Sequence, residues 1–220
     1  MTKRFWRASL PAFALAFLAS TGARAATFTV TNLADSGAGS LRQAVLGANA
    51  ASGADDVTFA PGLTGTITLT SGEITISDPL FVHGPGVGVL TVSGNDLGRI
   101  FYVEKPAVAA PIDVTVSSLT LTRGLAFPTH SGLAGGAVLA NGENLTILDS
   151  VISNSGIGAQ SGPPDFACGG NVALLNFAAV SGVTIRIVST LLTGGTHVGF
   201  GAGGGNLCVV SGKLVLDRSS

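Results

Sequence analysis

Twelve carboxylates, three histidines and two cysteines are the side chains of this 220-residue chain best suited to chemistry, and their spacing decides which kind. A polysaccharide hydrolase needs two carboxylates about 5–10 Å apart. A lyase needs acids clustered to hold calcium. Asp55-Asp56 is the adjacent acidic pair, but neighbours on a strand point to opposite faces, so the pair reads as solvated turn. Asp149 and Asp217 fall at the same place in a repeat and could stack on one face; they read as turn acids bonding their own backbone. Asp113, Glu143 and Asp165 are loop-like and isolated. His83, His130 and His197 lack metal-ligand spacing. Gly203-Gly204-Gly205 is followed by no Lys-Ser/Thr and opens no helix, so it is no phosphate loop. Arg123, Arg186 and Lys213 are scattered, with Arg186 reading as an exposed strand residue. Asn144-Leu145-Thr146 fits a glycosylation sequon, yet Asn141, Asn144 and Asn154 suit turns between units. No catalytic, cofactor-binding or metal-binding residue is assigned.

The elements that would position these groups repeat. Gly135-Gly136, Gly169-Gly170 and Gly204-Gly205 recur with steps of 34 (170 − 136) and 35 (205 − 170) residues. Each mark precedes a short apolar run, a small-polar turn and a second β-rich run such as Leu145-Thr146-Ile147-Leu148 or Val183-Thr184-Ile185-Arg186-Ile187. A fixed period of this size indicates stacked units that bury their apolar faces only against one another. Leu216-Asp217-Arg218-Ser219-Ser220 begins the next closure, which reads as the front of a longer protein or a truncated one. Cys168 lies two residues before Gly170, whereas Cys208 lies three after Gly205. In extended chain that offset is about 16 Å, beyond disulfide reach. The pair reads as two small buried thiols unless a loop brings them together.

Residues 55–113 read as short, less regular strands divided by Pro61-Gly62, Ser71-Gly72 and Gly84-Pro85-Gly86, with regular repeats from 114 to 220. Before them, residues 26–54 hold a strand, Thr27–Thr31, and a helix. Ser40 and Gln43 match a capping box, Leu41, Ala44, Val45 and Ala48 form one apolar stripe, and Gly53 stands where the helix should stop. That stripe suits a cap over the end of a β-stack.

Residues 1–25 have the three parts of a secretory signal peptide. Lys3, Arg4 and Arg7 precede the apolar Ala8–Ala19 segment, and Ala23-Arg24-Ala25 offers cleavage near Ala25. The apolar run is shorter than the roughly 20 residues that span a bilayer, and no later stretch of the mature chain is long enough. Removing the leader leaves seven basic residues against twelve acidic ones, a net charge of −5. That balance disfavours nucleic acid. An outer-membrane barrel would need aromatic girdles, and the mature chain keeps one Tyr and no Trp. Only 10% of residues are charged, and 32 are glycine, a composition for short strands and tight turns rather than a helical bundle.

The stretch Asp35-Ser36-Gly37-Ala38-Gly39-Ser40-Leu41-Arg42-Gln43-Ala44-Val45, followed by Ala48-Asn49-Ala50, resembles the N-terminal motif, often written CSLREA, of bacterial exported right-handed parallel β-helix proteins. Here Gly39 stands in place of the Cys and Gln43 in place of the Glu. Val57 to Ile67, Gly84-Pro85-Gly86 and Leu90 to Asn95 look like the same family. The resemblance implies an all-β fold, a right-handed parallel β-helix with an N-terminal capping helix, similar in architecture to pectate lyases and adhesin passenger domains. It implies a secreted or surface protein with a structural, adhesive or glycan-binding role, whose partner is a polysaccharide or cell-surface glycan. The alternative is a polysaccharide lyase or glycoside hydrolase on the same fold. Oligomeric state is not legible in the sequence.

Overall fold

The computed structural model describes residues 24–105, 110–127, 133–158, 167–175, 181–197 and 205–220. The expected leader up to residue 23, His130, Asp165 and Gly203-Gly204 lie outside these, as do the side chains of Cys168 and His197. Among the described residues there are 22 strands and one helix, α1 (Leu41–Ala50).

Three sheets carry the architecture. Sheet I orders Thr27–Val30, Asp55–Phe59, Leu80–His83, Asp113–Ser117, Asn144–Leu148, Thr184–Val188 and Lys213–Asp217. Sheet II orders Gly65–Thr68, Leu90–Ser93, Thr120–Thr122, Val151–Ser153 and Leu191–Thr193. Sheet III orders Ile74–Ile76, Phe101–Val103, Val138–Asn141, Val172–Leu175 and Leu207–Val209. Within each sheet the strands follow chain order and pair in parallel. From Asp55 onward the chain therefore visits sheets I, II and III in turn and returns to sheet I one repeat later.

Alternation sets the register. In sheet I, Val114, Leu145, Ile185 and Leu214 share one position, and Val116, Ile147, Ile187 and Leu216 the next inward one. All but Leu214 and Leu216, on the last strand, are buried. These side chains meet Ile67, Val92, Leu121 and Ile152 of sheet II and Ile76, Val103, Val138 and Val172 of sheet III in one continuous core. A one-residue slip in any strand would turn its inward side chains out, so burial fixes the pairing.

The Gly-Gly marks stack as their period implies. Gly135 and Gly136 N–H groups donate to the Gly169 and Gly170 carbonyls, and Gly170 N–H to Gly205, each at 2.8 Å. A Cβ on Gly136 would fall against the Gly156 and Gly170 carbonyl oxygens, and one on Gly170 against backbone of Gly205 and Thr196. Glycine is required there by backbone approach, not only by turn geometry.

Helix α1 begins at Ser40, whose side chain accepts the Gln43 N–H at 3.1 Å. The box is half made, because the Ser40 N–H donates to the Gly37 carbonyl instead. The helix closes at Ala51, two residues before Gly53. Leu41, Ala44, Val45 and Ala48 join the same core as the sheets, and α1 rests on strands Thr27–Val30, Asp55–Phe59 and Ile74–Ile76.

The cysteine expectation is corrected: Cys208 is disulfide-bonded, in a chain that has two cysteines. The offset argument assumed extended chain. Gly169 instead takes φ +69 and turns strand Ala167–Cys168 away from Val172–Leu175 into a separate pairing with Leu133–Ala134. A Cβ on Gly169 would lie 3.1 Å from the Cys208 Cβ, so the bend brings residue 168's neighbour directly onto Cys208.

Candidate functional site

A cleft of about 310 Å³ opens where turns of successive repeats meet, lined by Gly72, Glu73, Leu97, Gly98, Arg99, Leu125, Ala126 and Phe127. The Arg99 side chain is buried beneath it. Its Nη1 meets Glu73 Oε2 at 2.5 Å, its Nε donates to the Gly135 carbonyl at 2.9 Å and its Nη2 to the Ala134 carbonyl at 3.1 Å. The guanidinium also lies over the Tyr102 ring, 5.5 Å from its centroid. Burial pushes Arg99 below its ordinary value, against the opposing charge and hydrogen bond of Glu73. Glu73 keeps 20% of its side chain exposed. Leu97 and Phe127 are exposed at 58% and 40% and form the apolar walls. Phe127 lies against Gly158 of the next repeat, where a Cβ would come within 3.3 Å of its Cδ1.

The cleft floor is tied to the N-terminal motif. Arg42 of α1 donates to the Gly72 and Glu73 carbonyls and to Asp35 Oδ1, each at 2.7 Å. Asp35 Oδ2 accepts from the Thr70 hydroxyl at 3.0 Å and the Thr70 N–H at 3.2 Å. Burial works to raise the Asp35 pKa, but hydrogen bonds from Ser71, Arg42 and Thr70 outweigh it and hold the carboxyl well below the usual range. The residues that carry the motif resemblance thus form a clamp between the helix and the turn that presents Glu73.

Several acids sit otherwise than their spacing suggests. Asp55 and Asp56 are not solvated turn: both belong to strand Asp55–Phe59, with Asp55 fully buried and Asp56 meeting His83 at 2.9 Å on the exposed side. Strand alternation separates them, as expected, but turns one inward. Asp149 and Asp217 do not share a position. Leu148 pairs with Val188 and Val188 with Asp217, so Asp149 corresponds to Ser189 and Arg218, all in left-handed backbone near φ +45 to +48. The inward Ile147, Ile187 and Leu216 fix that alignment. Glu143 is not isolated. It is buried, and its two oxygens accept the Lys105 N–H at 3.0 Å and the Ile112 N–H at 2.6 Å, gathering both ends of the segment between sheets III and I. Burial raises its pKa, against those two backbone hydrogen bonds.

The remaining polar residues are found mainly in pairs along the sheets. Asn144 donates to Asp113 at 2.9 Å and accepts the Thr184 N–H at 2.8 Å, bridging three strands of sheet I. Asn141 donates to Glu104 at 2.7 Å. Asn154 takes φ +50, the turn role expected of it. Arg123 grips Asp96 through Nε and Nη2 at 2.8 and 2.6 Å on the exposed surface. Arg186 and Lys213 are exposed on sheet I. Among the described residues, no three His, Cys, Asp or Glu groups are arranged to hold a metal ion.

Two buried polar ladders escaped the sequence reading. Asn171, fully buried, donates to the Ile152 and Thr193 carbonyls and to Asn206 Oδ1, and accepts the Ser155 N–H. Asn206 in turn accepts the Gly195 N–H at 2.9 Å. The hydroxyls of Ser150, Thr190 and Ser219 accept turn N–H groups of Leu119, Ser150 and Thr190, repeat to repeat. The signal available was the recurrence of Asn directly after two Gly-Gly marks.

Comparison with known proteins finds no matching family model, no matching curated protein and no matching solved structure. No helix of the described residues is long and apolar enough to cross a membrane.

Proposed function

We propose that this chain is an exported right-handed parallel β-helix, secreted or held at the cell surface, whose side cleft binds a glycan. The cyclic visiting of sheets I, II and III supports the β-helix reading, since parallel crossovers are right-handed in nearly all proteins. The disulfide at Cys208 supports export, because such bonds persist in oxidising compartments. The observation that carries the binding role is the cleft itself. Apolar walls from Leu97 and Phe127 suit the face of a sugar ring, and Glu73 with the Gly72 and Gly98 backbone offers polar contacts below. Glu73, the one acid among its lining residues, is already engaged by Arg99, which favours holding a glycan over cleaving it.

An array of bacterial and plant polysaccharides, probed with the secreted protein, tests this reading. Retention of a defined glycan is expected, with Phe127→Ala weakening it roughly five- to tenfold through the lost ring contact. Equal retention by wild type and Phe127→Ala would remove the cleft from the account. Release of shortened sugars would replace binding by catalysis.

A further inference from the structure

The buried carboxylate of Asp55 has one partner too few. Its Oδ1 accepts the Ala26 N–H at 2.7 Å, while Oδ2 is buried and receives no hydrogen bond. The residue as a whole is 0% exposed. A buried carboxylate oxygen without a donor is costly and rare. The donor it does have is the backbone nitrogen immediately after the expected cleavage point. Arg24 and Ala25, on the other side of that nitrogen, are exposed.

We propose that Asp55 is the receptor for the new N-terminus: once the leader is removed, the α-ammonium of Ala26 forms a buried ion pair with it. The inference rests on the export reading above. Hydrolysis of the Ala25–Ala26 peptide bond by a leader peptidase consumes one water. The hydroxyl goes to the Ala25 carbonyl carbon, and a proton goes to the Ala26 nitrogen. The free amine then takes up a further proton from solvent at neutral pH, its ordinary pKa being about 7.7–8.0. One amide N–H thereby becomes an ammonium with three N–H donors. One keeps Oδ1, and a second turns to Oδ2 on the same carboxyl group.

The nitrogen stays in place when the leader leaves, because other contacts hold it. The Ala26 carbonyl accepts the Asp56 N–H at 2.8 Å, and Thr27 to Val30 pair in register with Asp56 to Phe59. Asp55 is held from the opposite side, its N–H donating to the Pro79 carbonyl and its residue pairing with Leu80. Processing thus adds a charge-assisted contact between the first strand and the second, locking the terminal strand of sheet I to its neighbour.

The test uses the full chain secreted with its own leader. Intact mass and N-terminal sequencing identify the first residue. Acetylation by an N-hydroxysuccinimide ester then reads the accessibility of its amine, with the exposed Lys213 as internal reference. The expected result is a chain beginning at Ala26 whose α-amine reacts about tenfold or more slowly folded than in urea, as a group released only by local opening does. Asp55→Asn should abolish that protection. Should Asp55→Asn fail to fold, insertion of one serine between Ala25 and Ala26 keeps Asp55 and displaces the ammonium, and its α-amine should label freely. A chain that begins at Ala26 and whose α-amine labels as fast folded as in urea would overturn the ion pair while leaving processing intact. A chain beginning elsewhere would overturn processing at this bond, and the ion pair with it.

Discussion

Asn171 shows how single residues hold the repeats together. It has four hydrogen-bond partners, all in neighbouring turns, and no exposed surface. Asn171→Leu keeps volume but strands two carbonyls and an N–H, so a loss of about 3 kcal/mol is expected from urea unfolding. Leucine at neighbouring exposed positions should cost far less. Two carboxylates tilt stability against pH in opposite senses. Asp35 is held below its ordinary 3.8, so its contribution is complete above that pH and disappears as pH falls through the lower folded value. Asp35→Asn should therefore be least destabilising in strong acid. Glu143 is raised above its ordinary 4.5, so between that value and the raised one the native state binds more protons than the unfolded state. Its contribution is complete below 4.5 and lost as pH rises through the folded value. Glu143→Gln should flatten that fall in the urea midpoint. The sequence made both acids visible but not their roles. Glu143 reads as an isolated loop acid because its partners Lys105 and Ile112 lie 38 and 31 residues away, and the Thr70 partner of Asp35 lies 35 residues away.

At the scale of the element, the helix and the strands were legible and the connections were not. The stripe Leu41, Ala44, Val45 and Ala48 has helical spacing, and all four residues are buried. What the stripe could not reveal is that Arg42, on the flank, fastens the helix to the Gly72-Glu73 turn and so to the cleft. Arg42→Ala leaves the Asp35 carboxylate and two carbonyls without their guanidinium donor, and should cost about 2 kcal/mol. Ser40→Ala, which removes a single cap, should cost about 1 kcal/mol. Hydrogen exchange checks the distinction: Arg42→Ala should speed exchange through Leu41–Ala50 and also in the Gly72 turn, whereas Ser40→Ala should affect the first helical turn alone. The misplaced pairing of Asp149 with Asp217 comes from matching the dipeptides Leu148-Asp149 and Leu216-Asp217, whereas in the sheet Leu148 aligns with Val188 and Val188 with Asp217. Equivalent turn positions lie 31, 40 and 29 residues apart on the sheet I side, against the steady 34 and 35 of the Gly-Gly marks. Single loops vary in length, but over the last two units the turn positions and the Gly-Gly marks both advance 69 residues (219 − 150 and 205 − 136), which carries Asp149 to Arg218 rather than to Asp217.

For the whole molecule, the Gly-Gly period foretold stacked units that share a core, whereas the disulfide depended on one left-handed glycine that extended-chain reasoning could not anticipate. Cys208→Ser should cost about 2–4 kcal/mol, and limited proteolysis should locate the loss in residues 205–220 rather than near α1. Closure of the sheets around the core, in one hand, is the claim on which the proposed export, scaffold and cleft all depend. A crystal structure of the secreted chain tests it most directly. The account predicts sheets I, II and III as successive faces of one right-handed helical path, with Asn171 above Asn206 and the cleft open at Phe127. Two packed antiparallel sheets, or a path of the opposite hand, would contradict it.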